Sequence, residues 1–201
     1  MELSPIAKEK INKIGKLSDE EKRRLKDDEN LKSMLARYFK NELSPDALWE
    51  ELKKQKTAGR AYLLNDAQLK LLDTVNMSST EIDFEKVSRG LLAVESLKDN
   101  GDYATLEQGL ESINSLRRQY KEEKGKAFEE IKNAVEREVS MAVQQLAGQA
   151  AAQGAMVDIQ GSVEASARSS PEWKRFITHH DAIYNRQFKD QLQKIHQMLK
   201  V

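Results

Sequence analysis

The stretch from Asp102 to about Ala152 most constrains what this chain can fold into. It contains no proline, and apolar or small residues recur along it every three or four positions, with one skip at Lys124. That spacing places them on one face of an α-helix. At ~1.5 Å per residue such a helix would be roughly 75 Å long. A 201-residue chain cannot enclose it, so most of the helix must lie against other helices, and we expect an all-α protein.

Composition is typical of a soluble helical protein, since 33% of residues are charged and 39% are hydrophobic. Without cysteine, the chain has no disulfide, no thiolate chemistry and no cysteine-based metal site. We find no apolar run of the ~18 residues that a membrane helix needs and no signal peptide, and we therefore expect a cytoplasmic protein. The formal net charge of zero gives no general attraction to nucleic acid.

Serines mark the predicted helix starts. Three directly precede the only prolines, a favoured arrangement for an N-cap followed by the first helical turn. Ser18 and Ser78 each precede a glutamate by three residues, which predicts a capping box, and Met77 with Ile82 would form a hydrophobic staple around Ser78. The predicted starts are Ser4, Ser18, Ser44, Ser78 and Ser170. The predicted stops are Gly15, Asn41, Gly59, Asn76 and Gly101.

These signals predict about seven helices in two parts. Residues 1–100 would form an N-terminal helical domain of five short helices. Its layout, INKIGKLSDEEKRRLKDDENLKSMLARYF followed by LSPDALWEEL, resembles the N-terminal part of an uncharacterised bacterial all-helical family of unknown function. The resemblance covers about residues 6–75 and implies the helical fold; it transfers no functional residue.

Residues 102–201 would form a long antiparallel helical hairpin, coiled-coil-like in its packing. A second apolar stripe runs from Trp173 to Leu199 and predicts a C-terminal helix of about 30 residues, packed on the second half of the long helix. Between them, residues 147–168 are rich in alanine, glycine and glutamine. We expect a mobile tip there; the alternative is a continuous helix with a seam of small residues at every seventh position, Ala147, Gly154 and Gly161.

The shorter C-terminal helix would leave residues 103–120 of its partner uncovered, with an apolar face. Either the N-terminal helices or a second copy of the chain must cover that face. We expect a homodimer, and the double substitution Leu110→Glu with Ile113→Glu should convert it to a monomer. The predicted association residues are Leu106, Leu110, Ile113, Leu116 and Tyr120, with Trp173, Ile177 and Tyr184 closing the hairpin.

Residues capable of chemistry do not form a recognisable site. His179 and His180 are adjacent and point about 100° apart on a helix, so they do not suit one metal ion, and we expect His180 to be a packing residue. Carboxylates occur in runs typical of solvated helix faces, and no phosphate-binding glycine motif is present. The basic run from Arg117 to Lys126 is interrupted by glutamates, which favours a salt-bridged helix face over a nucleic-acid interface.

We therefore expect a non-catalytic helical scaffold or adaptor that acts through protein–protein association, with no cofactor, metal or nucleic acid. Its partner would be a second copy or another helical protein. Exposed tryptophans at Trp49 or Trp173 would be partner anchors; core packing is the alternative. A second hypothesis is a peripheral membrane or secretion-linked factor that uses the 147–168 tip. A third is a metal- or ligand-binding helical bundle.

Overall fold

The computed structural model describes the backbone of residues 18–150 and 159–200, and the side chains of residues 18–142 and 162–200. The described residues form seven α-helices and no strand, which confirms the all-α prediction. The helices are α1 (Asp19–Phe39), α2 (Pro45–Thr57), α3 (Tyr62–Leu72), α4 (Glu81–Glau95), α5 (Tyr103–Ala150), α6 (Ile159–Ser169) and α7 (Pro171–Leu199).

The fourth helix, α4, thus spans Glu81–Glu95, and the long helix predicted over 102–152 is α5. The helix predicted to begin near Ser4 and end at Gly15 lies outside the described residues.

Three of the predicted helix starts are confirmed by their hydrogen bonds. Ser18 and Glu21 form the capping box in full. The Ser44 hydroxyl accepts from the backbone N–H of Ala47 with Pro45 in the first turn, and the Ser170 hydroxyl accepts from the N–H of Trp173 at 3.1 Å. Each serine satisfies one of the amides that a helix N-terminus leaves without an intrahelical partner.

The predicted start at Ser78 is wrong by two residues. Thr80 is the N-cap of α4, and its hydroxyl accepts from the N–H of Asp83. Ser78 instead donates its backbone N–H to the Asn76 side chain in the preceding turn. The shift also breaks the predicted staple, because Met77 is buried whereas Ile82 is 78% exposed. Serine and threonine cap helices about equally well, so local pattern did not distinguish the two positions.

The stops follow the left-handed conformation at two of the predicted residues. Asn41 has φ 63° after α1, and Gly59 has φ 78° after α2. Both conformations close a helix at low cost only for such residues.

The structure divides into two compact units. The first contains residues 18–108 and 195–200, and the second contains residues 109–150 and 159–194. The predicted domain boundary near residue 101 stays a prediction, because compactness alone does not establish that a segment folds separately.

The first unit is built around α2, α3 and α4, which pack on one another, with α1 packed on α3. Although α1 is polar over its first half, Leu31, Leu35 and Tyr38 are buried, and the Tyr38 hydroxyl donates to the Lys86 carbonyl of α4. The core residues of α2 to α4 repeat at helical spacing. They are Leu48, Leu52, Leu63, Leu64, Ala67, Leu71, Leu72, Phe84, Val87, Leu91 and Val94.

The end of α7 belongs to this first unit. Ile195 and Leu199 are buried, and His196 Nε2 lies 3.0 Å from Asp73 Oδ1 at the end of α3. The predicted solvated position of His196 is therefore only partly correct, since this ring is engaged by a carboxylate.

In the second unit α5 and α7 form the predicted antiparallel hairpin. Phe128 contacts Trp173, with ring centroids 4.9 Å apart, and Tyr120 contacts Tyr184 at 5.6 Å. The residue numbers rise along one helix as they fall along the other, so the helices run in opposite directions. No described helix is long and apolar enough to cross a membrane.

The predicted tip of residues 147–168 is helical wherever the structure describes it. Residues 147–150 continue α5, residues 159–168 lie in α6, and residues 151–158 lie outside the described part of the chain. Val163 and Ala167 of α6 are buried, and the Arg168 guanidinium lies 4.6 Å from the centre of the Phe128 ring. The sequence analysis did not predict α6, because its glycine and small residues weaken helical propensity.

Candidate functional site

The structure separates the eight predicted association residues into two groups. Leu106, Leu110 and Ile113 are buried within the single chain. Leu110→Glu with Ile113→Glu would therefore place charges inside the chain's own core, and loss of a dimer in that variant could not be separated from unfolding. Leu116 is partly exposed.

The remaining four predicted residues, Tyr120, Trp173, Ile177 and Tyr184, lie in the hairpin. An aromatic cluster joins α5 to α7 there. Along α7, Trp173 stacks on Phe176 at 5.7 Å and Phe176 stacks on His180 at 4.8 Å. His180 also contacts Tyr184 at 4.5 Å and stacks on Tyr120 of α5 at 5.1 Å. His180 is buried, as expected of a packing residue, whereas Ile177 is partly exposed.

Glu123 of α5 is the polar centre of this cluster. Its carboxylate accepts from Gln119 Nε2 at 2.9 Å and from His180 Nε2 at 3.2 Å. The Tyr184 hydroxyl is a further donor to Glu123. Because a carboxylate can only accept, Nε2 of the neutral His180 ring carries the proton, and the buried Nδ1 has no hydrogen-bond partner.

These contacts change the acidity of both oxygen groups. The hydrogen bond from Gln119, and then that from Tyr184, lowers the pKa of Glu123. Burial, followed by the hydrogen bond to Glu123, raises the pKa of Tyr184 to about 12. Tyr184 is therefore neutral and donating at physiological pH, so the cluster holds the two helices in register and lacks a group poised to remove a proton.

A second polar contact fixes the same register. The Tyr120 hydroxyl donates to Asp181 Oδ1 at 2.8 Å and accepts from Lys124 Nζ at 2.8 Å. Lys124 lies 3.8 Å from the same Asp181 oxygen. Periodicity placed Tyr120 and Tyr184 on the apolar stripes, but the contacts of their hydroxyl groups required the antiparallel register.

We predict that acid weakens the hairpin through Glu123. Because its pKa is lower in the folded chain than the ordinary 4.5, its stabilisation is present above about pH 4.5 and is lost as pH falls through the folded pKa. Glu123→Gln should lose less stability than the natural chain between about pH 5 and 3. The measurement is urea unfolding followed by Trp173 fluorescence in a Trp49→Phe background. Glu130→Gln, at an exposed position of the same helix, is the matched control, and an equal acid response in both variants would contradict the prediction.

A groove in the first unit is the second candidate site. It lies between α2 and α4, is closed at one end by the first residue of α5, and has a cavity volume of about 740 Å³. Trp49 is held in its wall, because its Nε1 donates to Ser96 Oγ at 3.0 Å and Lys53 Nζ lies 4.4 Å from the ring centre. Tyr103 is 46% exposed. The residues that line this cavity are Pro45, Asp46, Trp49, Glu50, Arg89, Leu92, Ala93, Ser96 and Tyr103.

A smaller cavity of about 360 Å³ extends the groove along α4. The two cavities share Pro45 and Arg89, so they form one continuous depression. The highly exposed Ile82 lines the smaller cavity. We call the two together the α2–α4 groove. Sequence reasoning identified Trp49 as a candidate anchor but missed the groove, because its walls come from helices more than 30 positions apart along the chain.

The histidines and basic residues do not assemble into another site in the described residues. Over 18–150 and 159–200, no group of three or more histidine, aspartate and glutamate residues is placed to hold a metal ion. His179 is exposed. Within the basic run, Arg117 is fully buried beside Asn114, and Lys126 pairs with Glu122.

Comparison with known proteins identifies a family for most of the chain. Residues 49–200 match a family of unknown function, DUF6657. The match covers α7 and all but the first turn of α2, and thus extends well beyond the segment of resemblance at residues 6–75. No curated protein and no solved structure was found to match the chain.

Proposed function

The chain belongs to the DUF6657 family, whose function is unknown, and from its geometry we propose that it is a non-catalytic helical adaptor that binds a helical segment of another protein in the α2–α4 groove. The observation that carries this proposal is the groove itself, with Trp49, Ile82, Leu92 and Tyr103 presented along one open depression.

The exposed apolar side chains favour a protein partner. Ile82 and Tyr103 are more exposed than most large apolar side chains of the chain, and an exposed apolar surface of this kind often marks a protein interface. Tryptophan and tyrosine contribute strongly to binding because they bury large, rigid surfaces. Hydrogen bonding to Ser96 keeps the Trp49 ring in the groove wall, which reduces the ordering cost of binding.

The groove offers little that would support catalysis. Its hydroxyl group, that of Ser96, donates to the Ala93 carbonyl at 2.8 Å while it accepts from Trp49. A nucleophilic serine instead needs a neighbouring base, and no histidine lines the groove. This environment is better suited to holding an apolar surface than to activating a substrate.

The test is site-specific photo-crosslinking in the native cells. A photoreactive phenylalanine analogue replaces Ala93 in the groove or, as the control, the exposed Gln187 of α7. We expect a discrete adduct with another protein from position 93 only. The purified partner should then change the fluorescence of Trp49 in a Trp173→Phe variant, in which Trp49 is the sole tryptophan.

Two results would contradict the adaptor. Equal labelling from positions 93 and 187 would show contact without a groove preference. An adduct with the mass of two copies of this chain would replace the adaptor by self-association, the homodimer predicted from the sequence.

A further inference from the structure

We infer that the α2–α4 groove selects a basic amphipathic helix, whose apolar face contacts the groove floor and whose lysines or arginines face α2. This inference rests on the proposed function and names the chemistry of the partner. The length of the groove, its apolar anchors and its unbalanced charge each contribute to it.

The length of the groove suits a short helix. Its α4 wall runs from Ile82 to Ser96 through residues spaced three or four apart, which is one face of a helix. At ~1.5 Å per residue this wall is about 21 Å long. A partner helix of about four turns would follow it, and such a helix presents apolar side chains at the same three- and four-residue spacing.

The charges on the α4 wall are already compensated within the chain. Arg89 pairs with Glu85. Lys86 donates to the Phe39 carbonyl at 2.9 Å and also to the Asn41 side-chain oxygen. These groups therefore add little net charge for a partner to meet.

The α2 wall differs, because its two carboxylates are not compensated. Asp46 and Glu50 line the larger cavity and are exposed, and neither forms an ion pair with a described residue. They are four positions apart on one helix face, where like charges are mildly destabilising. The helix N-terminus favours Asp46 but lies a turn away from Glu50. A cationic partner would remove this repulsion, whereas an acidic peptide or a nucleic acid would increase it.

The test measures peptide binding by the full-length Trp173→Phe protein, with Trp49 fluorescence as the signal. The probe is an amidated peptide of roughly 16 residues, long enough to span the groove, with leucines at three- and four-residue spacing and lysine elsewhere. One control peptide has glutamate in place of every lysine, and another has the leucines and lysines in scrambled order. We expect binding of the ordered lysine peptide only.

Variants divide the charge contribution from the apolar one. Asp46→Asn with Glu50→Gln should weaken binding about tenfold, the loss of two exposed charge contacts, and added salt should reduce the difference. Glu129→Gln with Glu136→Gln removes two exposed carboxylates outside the groove and should change nothing. Ile82→Ser should also weaken binding without loss of stability, whereas Ile183→Ser, at an exposed isoleucine of α7, should not.

Each alternative result would overturn the inference. Equal binding of the lysine and glutamate peptides would remove the charge preference but leave the groove as a docking site. No response of Trp49 to any peptide would remove the basic helix as its occupant, while the crosslinking experiment still decides the proposed function. Greater Trp49 exposure after Lys8→Glu with Lys13→Glu, without peptide, would identify the chain's own N-terminal segment as the occupant.

Discussion

Glu95→Ala should destabilise the first unit by about 3 to 5 kcal/mol, as expected when one partner is removed from a buried polar network. Glu95 is buried in α4 and accepts from Gln68 Nε2 of α3 at 2.5 Å. Its other oxygen accepts from the backbone N–H of Asp102 at 2.8 Å, immediately before α5 begins. Lys98 Nζ lies 3.5 Å away. Alanine would leave the Gln68 amide buried beside a cavity and would release the start of α5.

Glu95→Gln is the control that separates shape from charge. Its carbonyl can still accept from Asp102, while its amide group would require the Gln68 amide to flip, so we expect a smaller loss of about 1 to 2 kcal/mol. The measurement is urea unfolding of Trp173→Phe proteins, in which Trp49 reports on the first unit. Equal stability of Glu95→Ala and the parent protein would show that the network contributes nothing to this unit.

Alkaline pH should destabilise both units through two buried tyrosines. Burial is the main cause that raises the pKa of Tyr38 to about 12 and that of Tyr184 to about 12, from an ordinary value of 10.0. A raised folded pKa means that the stabilisation is complete below about pH 10 and is lost as pH rises toward 12. By linkage each tyrosine accounts for a loss of about 2 to 3 kcal/mol over that range.

The two tyrosines can be examined separately because the two tryptophans lie in different units. Tyr38→Phe should reduce the alkaline loss reported by Trp49, and Tyr184→Phe should reduce the loss reported by Trp173, each in a variant with that tryptophan alone. Phenylalanine keeps the buried ring and removes the ionisable hydroxyl. If both substitutions leave the alkaline unfolding midpoint unchanged, ionisation of these tyrosines does not limit stability in base.

Much of the helical architecture could be predicted locally. The start of α2 followed from Ser44 and Pro45, and the end of α1 followed from Asn41, because these residues meet backbone requirements within one turn. The hairpin followed from two long apolar stripes. The start of α4 was missed, because Ser78 and Thr80 offer similar capping chemistry and the choice depends on the preceding turn.

The candidate site was less predictable. The indole of Trp49 is aligned by Ser96, 47 positions later in the chain, and the groove forms only when α2 and α4 pack side by side. Ile82 was expected to be buried in a staple, yet it is exposed on the groove. Such errors arise because periodicity identifies an apolar face and does not identify what covers it.

By itself, the sequence determined that the chain is helical, where most of its helices begin and that α5 and α7 pair, since capping and helical periodicity depend on residues a few positions apart. Only the tertiary structure decided that Leu106, Leu110 and Ile113 are buried within one chain, that Glu95 connects α3 to the start of α5, and that Trp49 and Ile82 share a groove. These features depend on contacts between residues far apart in the chain, whose burial and pairing are set by how the helices pack.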